Sequence, residues 1–226
     1  MRLEYLLFNI IVVSGPIFFG SLRRFYFMDR WREAVLSSLF VAVPYLIWDA
    51  LVTDRHWMFN QEYVLGITLF RLPLEEWLFF LTVPFACLFT WEMILKVVPD
   101  SSTRAGDIIR KIFLLMPVMG IIVFINGEQY SGLVLLFLSL AVLLDKVLNT
   151  NLVNRRSFYL YIILIIGFIL IFNGYLTWRP VVLYDESFQL GIRIFTIPVE
   201  DFGYGISLLF LCTVIFEKIK MYLKKA

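Results

Sequence analysis

The chain has 226 residues, 61% of them hydrophobic and 17% charged, with a formal net charge of +2 and a mean hydropathy of +0.83. That balance lies outside the range of water-soluble domains, and no basic run with interleaved polar residues offers a nucleic-acid surface, so nucleic acid is excluded as a partner. The composition predicts an all-α integral membrane protein.

In chain order, hydropathy predicts seven spans, at 3–22, 34–51, 73–96, 108–126, 131–148, 157–176 and 198–219. Each is close to the roughly 20 apolar residues that cross a bilayer core. The first lacks a basic leader and a small-residue cleavage site and reads as a retained helix. The loop after the second span carries the single histidine, His56, beside Asp54 and Arg55; a lone loop histidine is expected to be solvated. Spans three and seven open on one repeated sentence. Leu65-Gly-Ile-x-x-Phe70-x-x-Pro73-x-Glu75-Glu76 returns 125 residues later as Leu190-Gly-Ile-x-x-Phe195-x-x-Pro198-x-Glu200-Asp201. Across 65–96 and 190–221 there are 10 identities in 32 ungapped positions, Cys87/Cys212 and Glu92/Glu217 among them. Cysteines and acids in register are not a composition effect, so the chain is an internal duplication.

At an offset of 124 the match continues into the second and sixth spans, as Arg32/Arg156, Asp49/Asn173 and Thr53/Thr177. The fourth span has no counterpart. Three-span repeats fused directly would be inverted relative to each other, and one extra crossing restores a parallel orientation. The expected architecture is seven transmembrane helices, two parallel three-helix repeats joined by one helix (3+1+3). The expected units are residues 1–97, a linker with the fourth span at 98–127, and 128–226. Fifteen of the 20 Lys and Arg residues fall at or beyond the C-terminal ends of spans one, three, five and seven, including Lys218, Lys220, Lys224 and Lys225 toward the tail. The positive-inside rule then predicts a multi-pass cell-membrane protein, inner membrane where there are two, with its N-terminus outside and its C-terminus in the cytoplasm. Both Pro-x-Glu motifs fall on the non-cytoplasmic face.

Pro73 and Pro198 suit the first turn of a helix, where a missing N–H costs nothing. The acids that follow, Glu75, Glu76, Glu200 and Asp201, have two readings. They complement the helix dipole and mark the interface, or they form an acid–base site, since a carboxyl at membrane depth favours its protonated form and paired carboxyls cannot both ionise cheaply. Neighbours on a helix diverge by about 100°, so one acid of each pair faces the bundle and the other supports it. Parallel repeats bring both motifs to one pocket. Trp77, Phe79, Phe80, Phe202 and Tyr204 follow the acids, and Trp48 and Trp57 flank the preceding loop; they read as an interfacial belt or as ring faces for a carbocation. Asp49 ends the second helix at the pocket's border. Arg71 and Arg193 are candidates to pair with an acid or to anchor the interface. Glu92 and Glu217, about 25 Å further along their helices, belong with the basic residues at the other face. The two cysteines read as small core hydrophobes. No dinucleotide fingerprint, phosphate loop, zinc spacing or aspartate-rich magnesium motif occurs, so no cofactor and no metal are expected.

With Pro73-Leu-Glu75-Glu76 and Pro198-Val-Glu200-Asp201 at the starts of duplicated helices, the chain resembles the non-flavin carotenoid cyclases, membrane lycopene cyclases of bacteria and archaea with related domains in fungal bifunctional enzymes. In many bacteria the two halves are separate chains that act as a heterodimer; this sequence is similar to the fused form. The resemblance implies cofactor-independent cyclisation of the ends of lycopene to β-carotene by way of monocyclic γ-carotene, an intramolecular lyase or isomerase reaction. It implies acid–base roles for Glu75, Glu76, Glu200 and Asp201, a pocket bounded by Trp77, Phe80, Phe202, Tyr204 and Asp49, and the lipid bilayer and other carotenoid-biosynthesis enzymes as partners. Gln at position 75 or 200 is then expected to stop ring closure. A small-solute transporter shares the 3+1+3 topology, and another isoprenoid-modifying membrane enzyme is the remaining alternative.

Overall fold

The computed structural model describes residues 2–99, 101–113 and 115–223; Lys224 and Lys225, part of the basic tail, and the terminal Ala226 lie outside them. Seven helices among these residues are long and apolar enough to cross a membrane. They comprise α1 (Glu4–Ser21), α2 (Trp31–Val52), α3 (Leu74–Val97), α4 (Ala105–Phe113) with α5 (Met116–Asn126), α6 (Gln129–Val147), α7 (Arg156–Phe168) with α8 (Gly174–Trp178), and α9 (Val199–Leu223). The protein is a multi-pass helical membrane protein with a 3+1+3 arrangement.

α3 and α9 cross at the centre. α1 packs on α3 as α6 packs on α9, while α2 and α7 each contact both central helices, which is the pattern of a pseudo-twofold axis. The unpaired fourth span lies outside this group, with α5 against α6. Its contact is close: a Cβ on Gly132 would meet the Gly120 carbonyl oxygen and the Phe124 backbone nitrogen at 2.7 Å. Small residues of this kind let helix backbones approach where lipid supplies no hydrophobic drive. The sixth span is interrupted by a π-helical turn at Ile169–Asn173.

The loops are more ordered than the sequence suggests. Strand β1 (Trp57–Phe59) pairs antiparallel with β4 (Val182–Tyr184), with Met58 opposite Leu183 at the centre. This ribbon joins the two repeats across the axis. Ahead of each central helix lies a hairpin, β2 (Thr68–Leu69) with β3 (Leu72–Pro73), and β5 (Arg193–Ile194) with β6 (Ile197–Pro198). Pro73, in an extended conformation, therefore caps α3 from outside, one position earlier than its sequence reading.

At the opposite ends of α3 and α9 the repeated acids form an ion-pair group. Lys220 binds Glu92 of the first repeat and, at 2.8 Å, Glu217 of the second, while the Trp91 indole N–H donates to Glu217 at 2.9 Å. Arg71 and Arg193 do not reach the motif acids. They pair with Asp54 and Glu186 in the loops.

Candidate active site

The hairpins explain the repeated sentence residue by residue. Gly66 and Gly191 take φ of +83° and +71°, a conformation open to glycine without strain. The preceding backbone N–H of Leu65 donates to Glu75 Oε1 at 2.6 Å, and that of Leu190 donates to Glu200 Oε1 at 2.8 Å. Ile67 and Ile192 carbonyls receive the first helical N–H groups, those of Leu74 and Val199. Phe70 and Phe195 take left-handed φ at the hairpin turns. Glu75 and Glu200 thus serve as anchors for the loops. Ser131 adds a hydroxyl to Glu200 at 2.5 Å, and Asn9 binds the Glu75 carbonyl at 3.1 Å while accepting from Thr82 at 2.6 Å.

Glu76 and Asp201, one residue on, turn the other way. Both line a cavity of about 380 Å³ whose walls are mostly apolar. The Tyr5 hydroxyl donates to Glu76 Oε2 at 2.5 Å. Tyr130, at the equivalent place 125 residues later, donates to Asp201 Oδ1 at 2.6 Å. The symmetry then fails. Asp201 Oδ2 also receives the Asn173 amide at 2.6 Å and the Tyr184 hydroxyl at 2.7 Å, whereas the residues at those places in the first repeat are Asp49 and Phe59. Asp49, a third acid on the cavity wall, accepts from Tyr204 at 2.9 Å. Burial and the neighbouring Asp201 hold the Tyr184 hydroxyl well above the usual phenol range, so it remains a donor. Among the described residues the lining includes no Lys, Arg or His.

The β1–β4 ribbon roofs the cavity through Trp57, Phe59, Val182 and Tyr184. Below the roof the cavity follows α3 from Glu76 to Thr90, 14 residues or about 21 Å of helix. Two acids, a third carboxyl and several aromatic faces, closed at the loop end by a ribbon, are suited to proton transfer and to a cationic carbon that water would otherwise trap.

Of the expected pocket residues, Tyr204 and Asp49 line the cavity, and three others do not. Trp77 binds the Leu69 carbonyl at 3.3 Å and lies beside Phe70 in the hairpin. Phe80 is buried against Tyr45 on the far side of α3. Phe202 is absent from the wall, its α9 neighbours Tyr204 and Gly205 being the ones that face inward. Sequence reasoning missed Tyr5, Tyr130 and Tyr184. The first two share the motif's own offset of 125, a signal that was available. His56 is buried, not solvated: it stacks on Phe188 at 4.5 Å and meets Gln129 Oε1 at 3.1 Å.

The family model described as lycopene cyclase matches residues 3–94 and 129–219. The segments contain both motifs, all three cavity acids and both paired tyrosines, and leave out the fourth span. Neither a curated protein nor a solved structure matches the chain.

Proposed function

Because the chain belongs to the lycopene cyclase family, we propose that it closes the ends of lycopene into β-rings, by way of γ-carotene, through proton transfer between its own carboxyls without a cofactor. The β-ring assignment follows the family resemblance. The observation that carries the acid–base reading is the split within each motif: Glu76 and Asp201 face one apolar cavity, while Glu75 and Glu200 are held by backbone N–H groups.

Glu76, with a single tyrosine donor, delivers a proton to the terminal double bond of the carotenoid. The resulting tertiary cation is attacked by the neighbouring alkene, whose π electrons form the ring bond and move the positive charge onto a ring carbon. Asp201, whose oxygens already receive three donors, is the resting carboxylate and removes a ring proton, leaving the new double bond. Atoms and oxidation level are unchanged overall, so the reaction is an isomerisation. One turnover leaves the proton on Asp201, and its return to Glu76 resets the site. Asp49 and the aromatic faces of Phe79 and Tyr204 stabilise the cation. Glu75 and Glu200 act as positioning residues.

The sequence units 1–97, 98–127 and 128–226 remain our division of the chain, and the N-terminus is placed outside with the C-terminus in the cytoplasm on the Lys and Arg distribution. The apolar wall argues against a small-solute transporter. Expression in a lycopene-accumulating bacterial host, with pigments separated by chromatography, tests the activity. Cyclic carotenoids are expected, and abundant membrane protein with lycopene left linear would end this reading.

A further inference from the structure

A chain built by duplication could hold two equivalent cavities, one on each side of its pseudo-twofold axis. The described cavity lies on one side only. Its long walls come from α1, α3, α7 with the π turn, and α9. The symmetry-related region, bounded by α6, α9, α2 and α3, holds the packed rings of Tyr45, Trp48, Phe80 and Phe137. The difference is clearest at five positions. Val12 on the cavity wall becomes Phe137, Gly15 becomes Leu140, and Gly205 becomes Phe80. In the sixth span Ile169 and Phe172 correspond to Tyr45 and Trp48. At each of these five positions the larger residue belongs to the second side, where Tyr45, Trp48 and Phe80 are buried and Phe137 is partly so. Leu140 faces outward at 40% exposure, and the wall residues Phe8 and Phe168 run the other way, against Leu133 and Pro44. On the second side the rings pack on one another: Phe137 lies 4.9 Å from Tyr45 and 4.7 Å from Trp48, ring centre to ring centre.

The cavity also has a flank toward lipid. Among the described residues α1 and α7 each pack on α3 but not closely on one another. Ile11 and Phe19, both on the α1 wall, are 64% and 48% exposed. Its depth of about 21 Å accommodates roughly 17 bonds of extended chain, about half the length of a linear C40 carotenoid.

We propose that the protein has a single carotenoid tunnel, open to the bilayer between α1 and α7, which takes one end and the adjoining half of a linear carotenoid at a time. This rests on the cyclase reading above and adds to it the route and the stoichiometry. The second repeat contributes Asp201 and its donors to the one tunnel and has closed its own. The other half of the substrate stays in lipid, so a monocyclic product must leave, turn and return by its free end to be closed at the second.

Gly15→Leu tests the route with little risk to folding, since a Cβ at Gly15 meets nothing within 4 Å. It and Val12→Phe each place on the cavity wall the larger residue found at the equivalent position of the second repeat. Cyclisation by membranes containing equal amounts of protein is expected to fall at least 10-fold in both, while Phe137→Val on the filled side stays within twofold of the parent. Under limiting protein the monocyclic carotenoid is expected to accumulate before the bicyclic one. Parent-like rates in both blocked variants, or an equal loss in Phe137→Val with unchanged folding, would overturn the proposal. A separate measurement reads the tunnel without turnover. Protein purified in detergent from lycopene-containing membranes is expected to retain the linear pigment, measured by its visible absorbance, in the parent and Phe137→Val but not in Gly15→Leu. Equal retention in all three would overturn the tunnel even if no cyclisation is detected. Retention in the expected pattern without ring closure by the parent would overturn only the cyclase activity.

Discussion

Glu75 and Glu76 are neighbours in sequence with different partners, and the difference gives opposite expectations for the same substitution. Gln at position 75 keeps a carbonyl oxygen for the Leu65 N–H, so Glu75→Gln is expected to retain cyclisation within tenfold. This departs from the sequence reading, which treats the pair alike. Glu75→Ala removes the acceptor and is expected to lower stability by about 1.5–3 kcal/mol, the usual worth of a charge-assisted bond. Glu76→Gln removes the proton on the cavity wall and is expected to lower conversion by 10²-fold or more. Pigment analysis of the three variants at matched membrane abundance checks this; a Glu76→Gln protein as active as the parent would remove Glu76 from the chemistry. His56 provides a pH expectation. Its burial lowers its pKa from about 6.5, with Arg55 acting the same way and the Gln129 bond opposing it. A lowered histidine is neutral in the fold and takes up its proton more readily when unfolded, so its contribution is complete above about pH 6.5 and is lost as pH falls. The thermal midpoint of the purified protein should drop between pH 7 and 5, less so in His56→Phe. Identical slopes for the two proteins would contradict this assignment.

Among the elements, the central pair α3 and α9 carries the cavity acids at one end and an ion-pair group at the other. Lys220 bridges Glu92 and Glu217 from the two repeats in a nearly buried group, the side chains being 10%, 15% and 9% exposed. Removing one member strands the opposite charges, which typically costs 3–5 kcal/mol in a buried pair. Lys220→Met is therefore expected to destabilise by about 3 kcal/mol, with recovery when Glu92→Gln and Glu217→Gln are added. Thermal unfolding in detergent measures both steps, and a Lys220→Met midpoint equal to the parent's would show the group to be dispensable. The hairpins before α3 and α9 place each motif's acids in opposite directions. The β1–β4 ribbon, which pairs loops 125 residues apart, gives the cavity its roof. None of these short strands has an alternating run long enough to signal itself in sequence.

For the whole molecule, the odd fourth span makes the repeats parallel and brings both motifs to one face. Reporter fusions at Ala226 are expected to report the cytoplasm, and an external signal would reverse the orientation without disturbing the cavity. The site itself needs both repeats, since Glu76 and Tyr5 come from one and Asp201, Tyr130 and Asn173 from the other. Its two halves are unequal in donors, with three bonds to Asp201 and one to Glu76. They are unequal in volume too, because the filled side holds Phe137, Tyr45 and Trp48 where the open side holds Val12, Ile169 and Phe172.

The sequence by itself determined the membrane class, the seven spans, the duplication and the motif acids, because hydropathy, repeat register and charge placement are local properties of the chain. It also contained the Tyr5/Tyr130 pair at the motif's offset. Only the tertiary structure decided which acids meet in a cavity and which side of the axis is hollow. Those outcomes depend on side-chain volumes and hydrogen-bond partners contributed by helices far apart in sequence. Phe80 and Gly205 illustrate the reason. They are equivalent positions of one repeat, yet the cavity lies to one side of the axis, so α3 and α9 present different faces to it, and Phe80 fills the closed side while Gly205 leaves the tunnel open.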